Sequence, residues 1–339
     1  MASIVEEEDD VFGSLFDDAK SSDGDDEHGE DTALTEVVHI RMKAAGGASP
    51  VPPTLRLSLV SSRHSLWGHR LWNAALLLAE MFENGDIDVE GKTVLELGAG
   101  AGLPGLVCAL KGARKVVISD YSNSTDQTLM VPIQINIERI QPEFVPRETL
   151  YAVGHVWGHP VEDLREPLTV PAPSVCSSTG DRPPVKQSND GGDRKAVGLV
   201  LPSGCPLETG AGGLEGGGRQ SSTVNENASR GPGGGFDVVI MADLLFNRSQ
   251  HAQLLETCDR CLGRSEGAAA LVSFSHHDPE KAELDMNFFA IARQKGFLAT
   301  KSQTVQMRDL FVEDDGMDDL RGEVHLWRLT RESLGGLST

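Results

Sequence analysis

Val94-Leu-Glu-Leu-Gly-Ala-Gly-Ala-Gly-Leu-Pro-Gly105 begins as a short apolar run and ends in glycines at 98, 100, 102 and 105. Such a run predicts a buried strand, Lys92–Leu97, that turns sharply into a helix over 103–111, because glycine admits backbone that other residues resist. The same alternation repeats outward. An apolar helix is predicted over 71–82, a β-branched strand over Lys115–Ser119 ending at Asp120, a helix over 124–140 kinked at Pro132, and a strand near 150–153. Further along come strands at 236–241 and 269–274, helices at 248–262 and 280–295, and a closing strand pair at 297–305 and 323–329. Strand and helix alternate and a strand pair ends the series. That order predicts an α/β, Rossmann-like, doubly wound seven-stranded sheet with an antiparallel edge strand.

Two segments stand apart from this pattern. Residues 1–33 form an acidic tail: thirteen carboxylates and one base, Lys20, fall within the first 31 residues. Its apolar residues Val11, Phe12, Leu15 and Phe16 could make a short docking element, or the tail could be solvated throughout. Residues 165–235 hold 15 Gly and 8 Pro, a composition that buries too little apolar surface to offset its ordering entropy. The domain is therefore expected over 51–330, interrupted by a disordered insertion at about 165–235.

The 339 residues carry 51 Asp and Glu against 30 Lys and Arg, a formal net charge of -21. Most of that excess lies in the tail and in the run 312–320, which has five acids and no base. The balance excludes a dedicated nucleic-acid binder and a polybasic membrane anchor. No apolar run approaches the roughly 18 residues needed to span a bilayer. Five cysteines behind an acidic N-terminus predict a reducing compartment, the cytoplasm. Cys258-Asp-Arg-Cys261 is a lone C-x-x-C on a predicted helix; with no second pair at zinc spacing, no metal site is expected.

Two chemistries use a glycine turn of this kind. Gly100-Ala-Gly102-Leu-Pro-Gly105 matches the dinucleotide string Gly-x-Gly-x-x-Gly. Yet Glu96 stands two residues before Gly98, Gly98, Gly100 and Gly102 alternate, and Asp120 ends the next strand, where a carboxylate can accept both hydroxyls of a ribose. That context favours S-adenosylmethionine and a class I methyltransferase. Glu96 either receives the ligand's ammonium, directly or through water, or only braces the turn.

Leu66-Trp-Gly-His-Arg-Leu-Trp-Asn-Ala-Ala75, the glycine motif, Ser119-Asp-Tyr-Ser-Asn123, Val156-Trp-Gly158 and Ala242-Asp-Leu-Leu-Phe-Asn247 occur in this order. Together they resemble the seven-strand protein methyltransferases of family 16, and within it the branch that methylates translation elongation factor 1-alpha. The resemblance spans both ordered blocks and neither the tail nor the insertion. It implies that Trp72, Gly98, Ala99, Gly100, Asp120, Trp157 and Ala242 line the S-adenosylmethionine site. It also implies a protein substrate, elongation factor 1-alpha, methylated at its N-terminal α-amine and an adjacent lysine. The segment Tyr121-Ser-Asn-Ser-Thr-Asp126 departs from the family's more frequent Tyr-Pro-Asp, and the insertion replaces a short link. On the residues alone, Trp67 and Trp72 also read as helix-packing core, and Trp157 as either buried or ligand-facing.

Methyl transfer to an amine requires alignment, dehydration and a neutral nitrogen. Asp243 and Phe246 form an Asp-x-x-aromatic pattern after the fourth strand: Asp243 is expected to orient the amine, and Phe246 to wall the transfer site. The alternative is a capping Asp beside a core Phe. His276 and His277 follow the fifth strand and fit either an acceptor-facing pair or an ordinary turn. Three other functions stay open: N-methylation of a small pyridine such as nicotinamide, a non-catalytic scaffold on the same fold, and a dehydrogenase.

Overall fold

A computed structural model of the chain describes residues 37–41, 52, 54–60, 68, 70–169, 234–307 and 322–331. The acidic tail, the acidic run 312–320, Trp67 and nearly all of the insertion lie outside the described residues.

Seven strands form one sheet: β3 (Thr93–Leu97), β4 (Lys115–Asp120), β5 (Leu150–Gly154), β6 (Val238–Ala242), β7 (Ala269–Phe274), β8 (Phe297–Gln306) and β9 (Glu323–Arg331). Their order is β5-β4-β3-β6-β7-β9-β8. Five strands run parallel, and β9 runs antiparallel to both β7 and β8 at the closing edge. The expected doubly wound sheet is therefore present, and the reversed strand is β9, one position in from the edge. Strand succession moves outward from β3 through β4 to β5, then restarts beyond β3 at β6. The sheet thus changes winding direction between β3 and β6, where open α/β sheets leave a crevice at the strands' C-terminal ends.

Helices cover both faces because successive strand residues point to opposite sides. Val94, Val116, Ile118, Val238 and Ile240 join the core beneath α1 (Asn73–Asn84), α2 (Leu103–Leu110) and α3 (Met130–Ile140). Leu95, Leu97, Val117, Val239 and Met241 join the opposite core under α5 (His251–Cys261) and α6 (Ala282–Gln294). The fully buried strands read as unbroken apolar runs for this reason.

Three elements differ from the sequence expectation. The third helix starts at Met130 rather than at 124, because Asn123 Oδ1 accepts from the backbone N–H groups of Thr125 and Asp126 and holds that segment in a turn. Pro132 then falls in the helix's first turn, where no intrahelical N–H is lost, so it needs no kink. A helix α4 (Glu162–Thr169) extends past residue 165, and β1 (Val37–Arg41) pairs antiparallel with β2 (Thr54–Ser58) ahead of the expected boundary at 51. Asn136 of α3 fastens β2 to the domain: its Oδ1 accepts from Ser58 N–H at 2.7 Å, and its amide donates to Ser58 O and Ala101 O.

Candidate functional site

The strand ends are flush at the winding switch. Leu97 pairs with Ser119 on one side and Met241 on the other, and Asp120 pairs with Gly154. The residues just beyond them enclose a cavity. Its wall includes Trp72, Gly98, Ala99, Gly100, Asp120, Trp157, Ala242, Asp243 and Phe246. Nine of the ten sequence-proposed site residues are thus brought together from five separate stretches of chain.

Gly98 has φ 59, in the left-handed region. A Cβ built there would lie 2.6 Å from Leu244 Cδ2 and 3.1 Å from Trp157 Cζ2, so a side chain would intrude between these two walls. Asp120 is buried at the tip of β4, and its carboxylate accepts from Gly100 N–H and Tyr121 N–H, both at 2.6 Å. These bonds hold a negative charge at the floor of the cavity against the end of the glycine turn. A carboxylate so fixed is suited to receive a pair of vicinal hydroxyls.

Glu96 is the exception. The pleat that sends Leu95 and Leu97 to one face sends Glu96 to the other, under α2, away from the cavity wall. Its Oε2 accepts from Gly105 N–H at 2.8 Å, while its Oε1 is buried with no hydrogen-bond partner among the described residues. Gly105 is required here, since a Cβ would sit 2.7 Å from that same Oε2. Burial pushes the Glu96 carboxyl up to about 8; the Gly105 bond opposes this and the Asp120 charge adds to it. The folded state therefore holds a proton that the unfolded chain releases above its ordinary value of 4.5. The stability this contributes is complete below that value and is lost as pH rises through about 8. Glu96→Gln mimics the protonated carboxyl. Between pH 5 and 8.5 it is expected to lose less unfolding free energy than the wild type does, as denaturant titrations would report. Equal losses in the two proteins would reject this state of Glu96.

The acceptor side is built from two loops. Asp243 follows β6 with φ 61, unusual for a non-glycine residue, though aspartate is among the types that tolerate it. Its Oδ1 accepts from Ser275 N–H at 3.3 Å and meets His277 Nε2 at 2.9 Å. The His277 ring lies against Trp72, with centroids 4.8 Å apart, and faces Phe246 edge-on at 6.1 Å. Neighbouring His276 turns the other way, its Nδ1 2.8 Å from Asp285 Oδ2; Arg248 Nε lies 2.8 Å from the other oxygen of the same carboxylate. Of the two histidines that the sequence left between an acceptor-facing pair and a turn, only His277 reaches the site.

Sequence reading missed Arg70, Tyr121, His155 and Gln250 in the wall. Arg70 and Tyr121 lie inside two of the quoted motifs, Leu66–Ala75 and Ser119–Asn123, while His155 only adjoins the Val156-Trp-Gly158 motif. Burial drives the His155 imidazole down to about 4, so the ring is neutral at physiological pH. Burial likewise pushes the Cys261 thiol up to about 12 and Cys258 further, which makes the C-x-x-C pair unreactive packing on α5. Among the described residues no helix is long and apolar enough to cross a membrane.

A family model described as lysine methyltransferase matches residues 53–167. The protein N-terminal and lysine N-methyltransferase efm7 of Schizosaccharomyces pombe is 30% identical over 295 residues, covering 87% of this chain and 88% of that protein. The protein N-terminal and lysine N-methyltransferase EFM7 of Gibberella zeae is 33% identical over 261 residues, covering 76% of each. Among solved structures, magnesium protoporphyrin IX methyltransferase from Synechocystis, determined with bound SAH, is 11% identical with a TM-score of 0.39, over 76% of this chain and 82% of that one.

Proposed function

The chain belongs to the lysine methyltransferase family, and from that premise we propose that it methylates a protein at amines, using S-adenosylmethionine. The acceptor proposed is translation elongation factor 1-alpha, at its N-terminal α-amine and an adjacent lysine, in the reducing environment of the cytoplasm. The observation that carries the reading is the convergence of Asp120, the Gly98–Gly100 turn and Trp157 with Asp243 and Phe246 around one cavity.

The residues present fit the cofactor. Asp120 offers oxygens to a diol, the absent side chain at Gly98 leaves room against Trp157, and that indole supplies a flat apolar face for a purine. Bound there, S-adenosylmethionine would supply a methyl group on a sulfonium. The chain's own contribution is placement. Trp72 and Phe246 exclude water from the acceptor side, and Asp243 holds the amine by hydrogen bonding once it has shed its proton. An α-amine, with an ordinary pKa near 8, sheds that proton more readily than a lysine near 10.4.

The test is mass spectrometry of unmethylated elongation factor 1-alpha incubated with the protein and S-adenosylmethionine. Methyl groups are expected within its N-terminal segment, and none in a parallel incubation with nicotinamide. Asp120→Ala should weaken S-adenosylmethionine binding about 100-fold by calorimetry, as loss of two charge-assisted hydrogen bonds implies. Methylation of nicotinamide with the factor left unmodified would overturn the protein-substrate reading.

A further inference from the structure

The two oxygens of Asp243 are used unequally. Oδ1 takes both local partners, Ser275 N–H and His277 Nε2, while Oδ2 has no hydrogen bond among the described residues and the residue lines the cavity. An aspartate side chain turns easily about its last torsion. Two partners on one oxygen, both from the loop after β7, fix the carboxylate plane and leave the second oxygen for an incoming amine. With a carboxylate oxygen that already accepts from Ser275 N–H as its partner, Nε2 is the donor, which fixes the protonated nitrogen of the ring.

The same imidazole also touches the two aromatic walls, Trp72 and Phe246. One side chain therefore joins every group assigned to the acceptor side. Anchoring of the loop itself falls to its neighbour, since His276 is bound to the buried Asp285. His277 keeps 21% of its side-chain surface exposed and is not needed as core.

We propose that His277 is a positioning residue for the acceptor amine, holding the Asp243 carboxylate through Nε2. This rests on the methyltransferase reading given above. His277 acts through Asp243 and takes no part in bond making.

The test compares wild type, His277→Leu, His277→Gln, Asp243→Asn and the Asp243→Asn/His277→Leu pair, with unmethylated elongation factor 1-alpha as acceptor. His277→Leu is expected to lower kcat at least tenfold with S-adenosylmethionine affinity unchanged within twofold. His277→Gln, whose amide donates from near the position of Nε2, should recover most of that loss. In the Asp243→Asn background, His277→Leu should cost less than a further threefold, because its effect passes through the carboxylate. An unchanged kcat in His277→Leu, or full additivity in the pair, overturns the proposal. A second readout needs no acceptor: nitrogen-15 histidine NMR of the free protein should show His277 protonated at Nε2. Protonation at Nδ1 alone overturns the proposal whether or not any protein is methylated. A wild type that methylates no protein acceptor while retaining the Nε2–H signal overturns the function and not the His277–Asp243 bond.

Discussion

Asp243→Asn is expected to fold as the wild type does and to transfer methyl groups about 100-fold more slowly, in the range typical for losing one preorganised, charge-assisted hydrogen bond to the reacting group. The substitution is unusually clean. Asparagine tolerates the left-handed backbone at φ 61, and its remaining Oδ1 still accepts from Ser275 N–H and His277 Nε2. What it removes is the charge and the second acceptor oxygen, the one with no hydrogen-bond donor among the described residues. Steady-state kinetics with saturating S-adenosylmethionine would show the effect in kcat, alongside an unchanged melting curve. Transfer within threefold of wild type would remove Asp243 from the acceptor side.

The second large effect is on folding. Asp285 of α6 is 1% exposed and lies between Arg248 and His276, so it ties the loop after β6 to the loop after β7. Asp285→Ala strands both partners. Breaking a buried pair costs about 3–5 kcal/mol, and the lower end applies here because the Arg248 side chain is 24% exposed and can rehydrate. For a domain of this size, about 3 kcal/mol corresponds to roughly 6–12 °C in Tm. Asp285→Asn, which keeps the shape and loses the charge, should fall between Ala and wild type. A midpoint shift below about 1 °C in Asp285→Ala would show that the two loops are held by backbone packing alone. Methyl transfer should decline with Asp285→Ala as well, since both loops carry acceptor-side residues.

Much of this is legible in the sequence. The strands β3, β4, β6 and β7 are apolar on both faces, and only a sheet covered by helices on both sides makes such runs stable. The glycine turn and the strand-end Asp120 then mark the ligand side of the sheet, because the C-terminal ends of parallel strands open onto the winding switch. The hairpin of β1 and β2 was not legible: two five-residue strands carry little signal, and the sequence between them marks no tight turn. Helix α4 was hidden for a different reason, since its residues merge in composition with the glycine- and proline-rich segment that follows.

Glu96 and His277 divide the two kinds of information most sharply. Local pattern assigns residues to strands, turns and helices, and from it came the sheet, the glycine turn, Asp120, and Asp243 with Phe246 three residues on. Which face a strand residue occupies, and which loops meet, depends on pleat and on packing between segments far apart in the chain. Glu96 sits two residues from the turn yet points under α2, buried and protonated, while His277 is 34 residues from Asp243 and bonds to it. Spacing along one segment carries the chemistry of that segment; contacts between segments exist only once the sheet has aligned their ends.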